Sequence, residues 1–354
     1  MRGMKRRCLL AAFFILAFNL LVSAQSIPSA LTDGQFWKLS SDSSEADGTF
    51  RSDNLVSNEI YFQYVIPDLT RTAKSDGIYV GVGPEQNFTY IAALKPKMVF
   101  IVDIRRGNLD LHLMYKAMFE LAKDRADFVS MLFSRKQPDG LSEKSSAREI
   151  FAAYSDVKTS EALYAENLKK VVDHLKTKHG FGLSDGDVSG IEYVMSSYQR
   201  FGPEINYNSS SGGFGGGGTR VTYAELMTAT DQAGVSRSYL GSEENFKYLK
   251  SLETANLLVP VVGNFSGAKA IRAVGRYLKE VGATVSTFYL SNVEDYLYRD
   301  ASWKAFCENV ATLPLDGTST FIRSVRGGRY GAGIGLNSDL GNIQTEVKAC
   351  SPGR

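Results

Sequence analysis

The apolar positions of this 354-residue chain fall into two kinds of pattern. Continuous runs occupy residues 78–82, 98–102, 257–262 and 285–290, with a more polar fifth candidate at 320–325. Runs of this length, bounded by glycine and polar clusters, predict strands covered on both faces. Between them, apolar residues recur at helical spacing. Leu113, Met114, Ala117, Met118 and Leu121 share one face of a helix over 109–123. Leu163, Leu168, Val171, Val172 and Leu175 line another, which Gly180 should end. Ala270, Ile271, Val274, Tyr277, Leu278 and Val281 predict a third over 268–281. Residues 128–133 fit a strand or a helical turn equally, and 147–200 read as all-helical. Residues 208–218 hold three serines and six glycines. They cannot pack, and predict a flexible loop or, if they lie beside a site, a mobile flap.

Strand, turn, helix and strand follow one another twice, over 76–108 and again over 257–294. Such repetition predicts an α/β fold with a doubly wound, mostly parallel, Rossmann-like sheet. Helices are expected on both faces, with a helical insertion at about 145–256. Residues 25–58 are polar and turn-rich and read as an N-terminal arm that becomes ordered near residue 54. Residues 59–325 form the domain and 326–354 a glycine-rich C-terminal tail. Ligands of such sheets bind beyond the carboxyl ends of the strands. That places 81–87, 103–108, 263–266 and 291–294 along one rim, with Asn264 and Asn292 as its second-side candidates.

The chain ends change the picture. Residues 1–7 are basic, 8–22 are apolar, and Val22-Ser23-Ala24 is a small-residue cleavage site. This is the pattern of a signal peptide, and it predicts export, periplasmic or secreted, after cleavage near Ala24. A stable membrane span after cleavage is not expected, because the apolar run is short and contains Asn19. The formal charge of +2 owes its sign to Arg2, Lys5, Arg6 and Arg7; the rest is slightly acidic, so no nucleic-acid partner is expected. Export would allow Cys307 and Cys350 to pair, but two thiols leave a disulfide and two free cysteines equally open. His112, His174 and His179 are scattered without ligand spacing, so no metal site is expected.

The candidate chemistry lies in the first unit. Gly81-Val82-Gly83 follows a strand and precedes a helix, a turn that lets a ligand approach backbone and helix N-terminus. Asp103 ends the next strand, where a ribose diol is commonly held. Glu85, Gln86 and Asn87 open the helix and are expected to face the rim, although Glu85 fits equally well as a first-turn acid that favours the helix dipole. Arg105 could bind a phosphate, pair with Asp103 or remain solvated. The expected partner is a small polar ligand. A Walker loop is absent, and a dinucleotide fingerprint lacks its third glycine.

Tyr79-Val80-Gly81-Val82-Gly83-Pro84 followed by Val102-Asp103 resembles the first two motifs of class I S-adenosylmethionine-dependent methyltransferases. The resemblance implies a Rossmann-like fold and S-adenosylmethionine as cofactor. Gly81 and Gly83 would pass its amino-acid part, and Asp103 would bind its ribose hydroxyls. Two positions before the first glycine the family usually has an acid; here it is Tyr79. Glu85 stands where a small residue is usual. No Asn/Asp-Pro-Pro-aromatic motif follows the strand at 257–262, where Gly263-Asn264-Phe265 stands instead. Residues 81–108 and 222–231 also resemble an uncharacterised bacterial group of methyltransferase-like proteins. Two readings follow: a methyltransferase, or an exported protein whose rebuilt pocket takes another small polar ligand. A cytosolic cofactor sits poorly with export, which separates the two.

Overall fold

The computed structural model describes residues 26–209, 221–332 and 336–350. The expected signal segment and most of the 208–218 loop lie outside the described residues. Each apolar run is a strand: β1 (Ile78–Gly81), β2 (Met98–Asp103), β3 (Leu258–Val262), β4 (Val285–Ser291) and β5 (Thr320–Arg326). A sixth, β6 (Leu336–Asn342), follows. They form one sheet in the order β3-β2-β1-β4-β5-β6, parallel except that β6 runs antiparallel to β5. The fold is therefore mixed α/β, with helices around a mostly parallel sheet. Every residue of β1, β2 and β3 is buried, which is why these strands read as unbroken apolar runs.

From β1 the chain adds β2 and β3 on one side, then returns to place β4 and β5 on the other. The long β2-to-β3 connection holds no strand among its described residues; its helices include Arg106–Leu121, Glu161–Asp173, Asp185–Phe201 and Glu243–Thr254. The ambiguous stretch 128–133 is helical: Arg125–Phe133 is started by Asp124, whose carboxylate accepts from Asp127 N at 2.8 Å. No helix among the described residues is long and apolar enough to cross a membrane.

The two ends differ from the expectation of an arm and a tail. Helix Asp33–Ser43 begins with a Thr32–Gln35 capping box and lies along the β3 edge. Ser40 Oγ donates to the Pro260 carbonyl at 2.5 Å, Val262 N to Ser44 Oγ at 3.0 Å and Glu45 N to the Val262 carbonyl at 2.8 Å. Pro260 has no N–H to offer, so it suits an edge strand, and the arm closes that edge. At the other end, the glycine-rich segment supplies β6 and helix Ile343–Ala349. Cys307 and Cys350 are bonded to each other and tie that helix to Trp303–Val310. Asn337, Ser338, Asp339, Gly341 and Asn342 hid β6, because such residues lower strand propensity without preventing pairing to an existing edge.

Candidate functional site

The turn after β1 is shaped by its own side chains. A Cβ on Gly81 would collide with the Asn87 Oδ1 atom, so the glycine makes room for Asn87. Asn87 Nδ2 donates to the carbonyls of Val82 (2.9 Å), Gly83 (3.3 Å) and Pro84 (2.7 Å), and its Oδ1 accepts from the Tyr79 hydroxyl. Gly83 has φ +76°, a conformation open to glycine at little cost. Its carbonyl also takes a bond from His112 Nε2 at 2.9 Å. A carbonyl only accepts, so that nitrogen carries the proton, and burial lowers the His112 pKa to about 4.

Glu85 and Gln86 turn inward as well. Glu85 is fully buried, its Oε1 accepts from Ser57 N at 3.1 Å, and its Oε2 has no partner among the described residues. Burial pushes its carboxyl up to about 8, so it carries its proton at neutral pH. Gln86 Nε2 donates to Glu59 Oε2 at 2.8 Å and to the Tyr90 hydroxyl at 2.9 Å, while its Oε1 accepts from Ser57 Oγ. These side chains hold residues 57–59 against the turn. They do not face the rim as expected, because satisfying buried polar groups decides their direction.

Beyond the carboxyl ends of β1 to β4 lies a cavity of about 510 Å³, within the range of small-molecule sites. Asp103 and Gly83 line it, as do Asn264 and Asn292. Gly81, Glu85, Gln86, Asn87 and Arg105 do not line it. Asp103 is paired in register with Val262, which sets it beside Gly263 and Asn264. Its Oδ1 accepts from Arg105 N at 3.0 Å. The Arg105 guanidinium lies 3.5 Å from the same oxygen and donates to the Asp53 carbonyl, so it braces the cavity wall.

That wall is the part the sequence reading missed. Thr49, Phe50, Arg51, Asn54 and Ser57 come from the supposed arm and line the cavity, as does Glu59 just beyond the arm. Glu59 is buried: its Oε1 accepts from the Tyr289 hydroxyl (2.8 Å) and Ser291 Oγ (2.7 Å), its Oε2 from Gln86. Burial raises its pKa despite these donors. Glu45, just after helix Asp33–Ser43, organises the opposite loop. Its carboxylate accepts from Asn264 N (3.0 Å), Lys269 N (2.8 Å) and Ala270 N (3.0 Å), capping helix Ala270–Glu280 from a distance. Capping-box spacing at Thr32 was the one local sign that this arm is structured.

The histidines also differ from the expectation. His112 stays behind the glycine turn, but His174 and His179 converge on Glu120. Residues His174–Lys178 form a π-helical turn, closed by His179 N to the His174 carbonyl at 3.1 Å. On an α-helix, positions five apart point about 140° away from each other. The wider π turn brings them to one face, so regular ligand spacing could not have shown the pair.

A family model described as "Domain of unknown function (DUF7790)" matches residues 54–182 and 209–341. The chain belongs to that family. The DUF7790 match takes in the glycine turn, Glu59, Asp103 and both convergent histidines, but not helix Asp33–Ser43, Glu45 or Cys350. No curated protein matches the chain.

Proposed function

We propose that the cavity binds a nucleoside-type ligand, with S-adenosylmethionine the first candidate and methyl transfer the first reaction to assay. The observation that carries this reading is the Asp103 carboxylate, 5% exposed, at the end of β2 in the cavity wall and oriented by the Arg105 amide. A carboxylate there suits a vicinal diol. The strand order β3-β2-β1-β4-β5-β6 supports this reading, since it would put a change of winding direction between β1 and β4, whose ends border the cavity. Glu85 does not obstruct the reading, since it points away from the cavity and carries a proton.

The second reading keeps the cavity and changes the ligand. Glu59, which accepts from Tyr289, lines the same cavity as the paired rings of Phe50 and Tyr296, and a carboxyl and aromatic faces in one cavity suit a cationic group on a small polar molecule. The Cys307–Cys350 bond supports export, because disulfides persist in oxidising compartments. An exported protein would meet little S-adenosylmethionine, which favours this second reading if residues 1–24 are removed.

Calorimetric titration of residues 25–354 with S-adenosylmethionine, S-adenosylhomocysteine and adenosine tests the proposal. Micromolar binding that Asp103→Ala abolishes is the expected result. No heat at millimolar ligand, from a chain with native circular dichroism, overturns the nucleoside reading. Mass spectrometry of the cell-derived protein checks export through a mature N-terminus at Gln25.

A further inference from the structure

We propose that Glu120, His174 and His179 form a transition-metal site that takes Zn²⁺, separate from the cavity. Glu120 lies in the last turn of helix Arg106–Leu121, whose first turn follows Asp103, so the two sites stand at opposite ends of that helix. His174 Nε2 and His179 Nε2 both approach Glu120 Oε2, at 2.7 and 2.8 Å, and the ligand atoms lie within 4.8 Å of one another. All three side chains are less than a tenth exposed. Two imidazoles and a carboxylate, with a fourth position for water, are a ligand set that suits Zn²⁺.

The surroundings fit a metal in two further respects. His179 Nδ1 contacts Asp33 Oδ1 at 2.7 Å, the carboxylate-to-imidazole support that orients a metal-bound histidine. Asp33 is itself held by Asn256 Nδ2 at 2.9 Å. The π turn is the second: it costs regular helix geometry at the one place where it aims two imidazoles at one point. Three ammonium and acid groups border the site. Lys116 Nζ donates to Glu120 Oε1 at 2.7 Å, leaving Oε2 for the metal. Lys178 lies 3.6 Å from Oε2, but its side chain is 62% exposed and free to swing into solvent, which opens an entry path. Glu253 is buried behind Lys116 and carries a proton at neutral pH, since burial pushes it up to about 8.

Metal takes the place of the hydrogens that bridge both Nε2 atoms to Glu120 Oε2, so each histidine ligates as a neutral imidazole with its remaining proton on Nδ1. Bond lengths of about 2.0–2.2 Å place tetrahedral ligand atoms about 3.3 Å apart, so the present contacts must widen by about half an ångström.

The test uses the full chain, stripped with chelator and dialysed. Titration with Zn²⁺ should show one ion per chain at micromolar affinity or tighter. Co²⁺ should give the visible bands of four-coordinate nitrogen and oxygen ligation. His174→Ala and His179→Gln should each weaken Zn²⁺ at least a hundredfold, and Asp33→Asn about tenfold. If a variant does not fold, the Co²⁺ spectrum of the unaltered chain decides. Absence of Co²⁺ bands from folded protein, or Zn²⁺ affinity unchanged in folded His174→Ala, overturns the site.

Discussion

The Tyr79 hydroxyl donates to Asn87 Oδ1 at 2.9 Å, across the turn that ends β1. This bond makes the turn self-bonded, with Asn87 filling the space that Gly81 leaves. Asn87→Ala should strip three carbonyls of a donor and cost about 2–4 kcal/mol in urea unfolding. Tyr79→Phe should cost only about 1 kcal/mol, since Asn87 keeps its donor bonds. An Asn87→Ala protein as stable as the parent would show that the turn does not depend on this side chain.

Buried acids should make the protein less stable as pH rises towards 8. The Glu85 carboxyl titrates near 8 in the folded chain and near 4.5 once unfolded. Below the lower value both states hold the proton and nothing changes. Between them only the folded state does, so unfolding releases a proton and stability falls with rising pH until about 8. Asp110, also raised to about 8 by burial and by the Asp187 charge, acts in the same direction. Glu85→Gln should flatten the pH profile of chemical denaturation by up to one proton and raise stability at pH 8 by a few kcal/mol. A profile of unchanged slope would refute it.

His112 has the opposite sign. Its folded pKa is near 4 against 6.5 for an ordinary histidine, so stability is full above 6.5 and declines as pH falls through that window. Glu85→Gln leaves this acid limb in place, and comparing the two limbs in one titration separates the groups.

The Cys307–Cys350 bond closes a sequence separation of 43. On chain-entropy grounds its loss costs about 4 kcal/mol. Cys350→Ser should lower the melting temperature by several degrees, and reductant should lower the parent to the same level while leaving the variant unmoved. A parent indifferent to reductant would mean that the bond is absent in solution.

Glu45 should connect the arm to the cavity. Glu45→Ala leaves the amides of Asn264, Lys269 and Ala270 without their acceptor and should cost about 1–2 kcal/mol. Because Asn264 lines the cavity, ligand affinity should fall with it, measured by the titration used for Asp103→Ala. Stability lost with affinity intact would place the loop outside the binding surface.

The sequence by itself determined the five parallel strands and the amphipathic helices, since strand burial on both faces and helical periodicity are local properties written in neighbouring residues. It also put Gly83, Asp103, Asn264 and Asn292 on one rim, where all four line the cavity, because strand ends in a parallel sheet share one edge whatever their distance in the chain. Tertiary structure decided the rest. Glu85, Gln86 and Asn87 turn inward because buried carbonyls, Ser57 and Glu59 had to be satisfied, a demand set by residues up to 30 positions away in sequence. The cavity wall at 49–59, the cap from Glu45 and the meeting of His174, His179 and Glu120 arise from long-range packing and one irregular helical turn. Neither leaves a period in the sequence, because each is a pairing between groups that only folding brings within a hydrogen bond of each other.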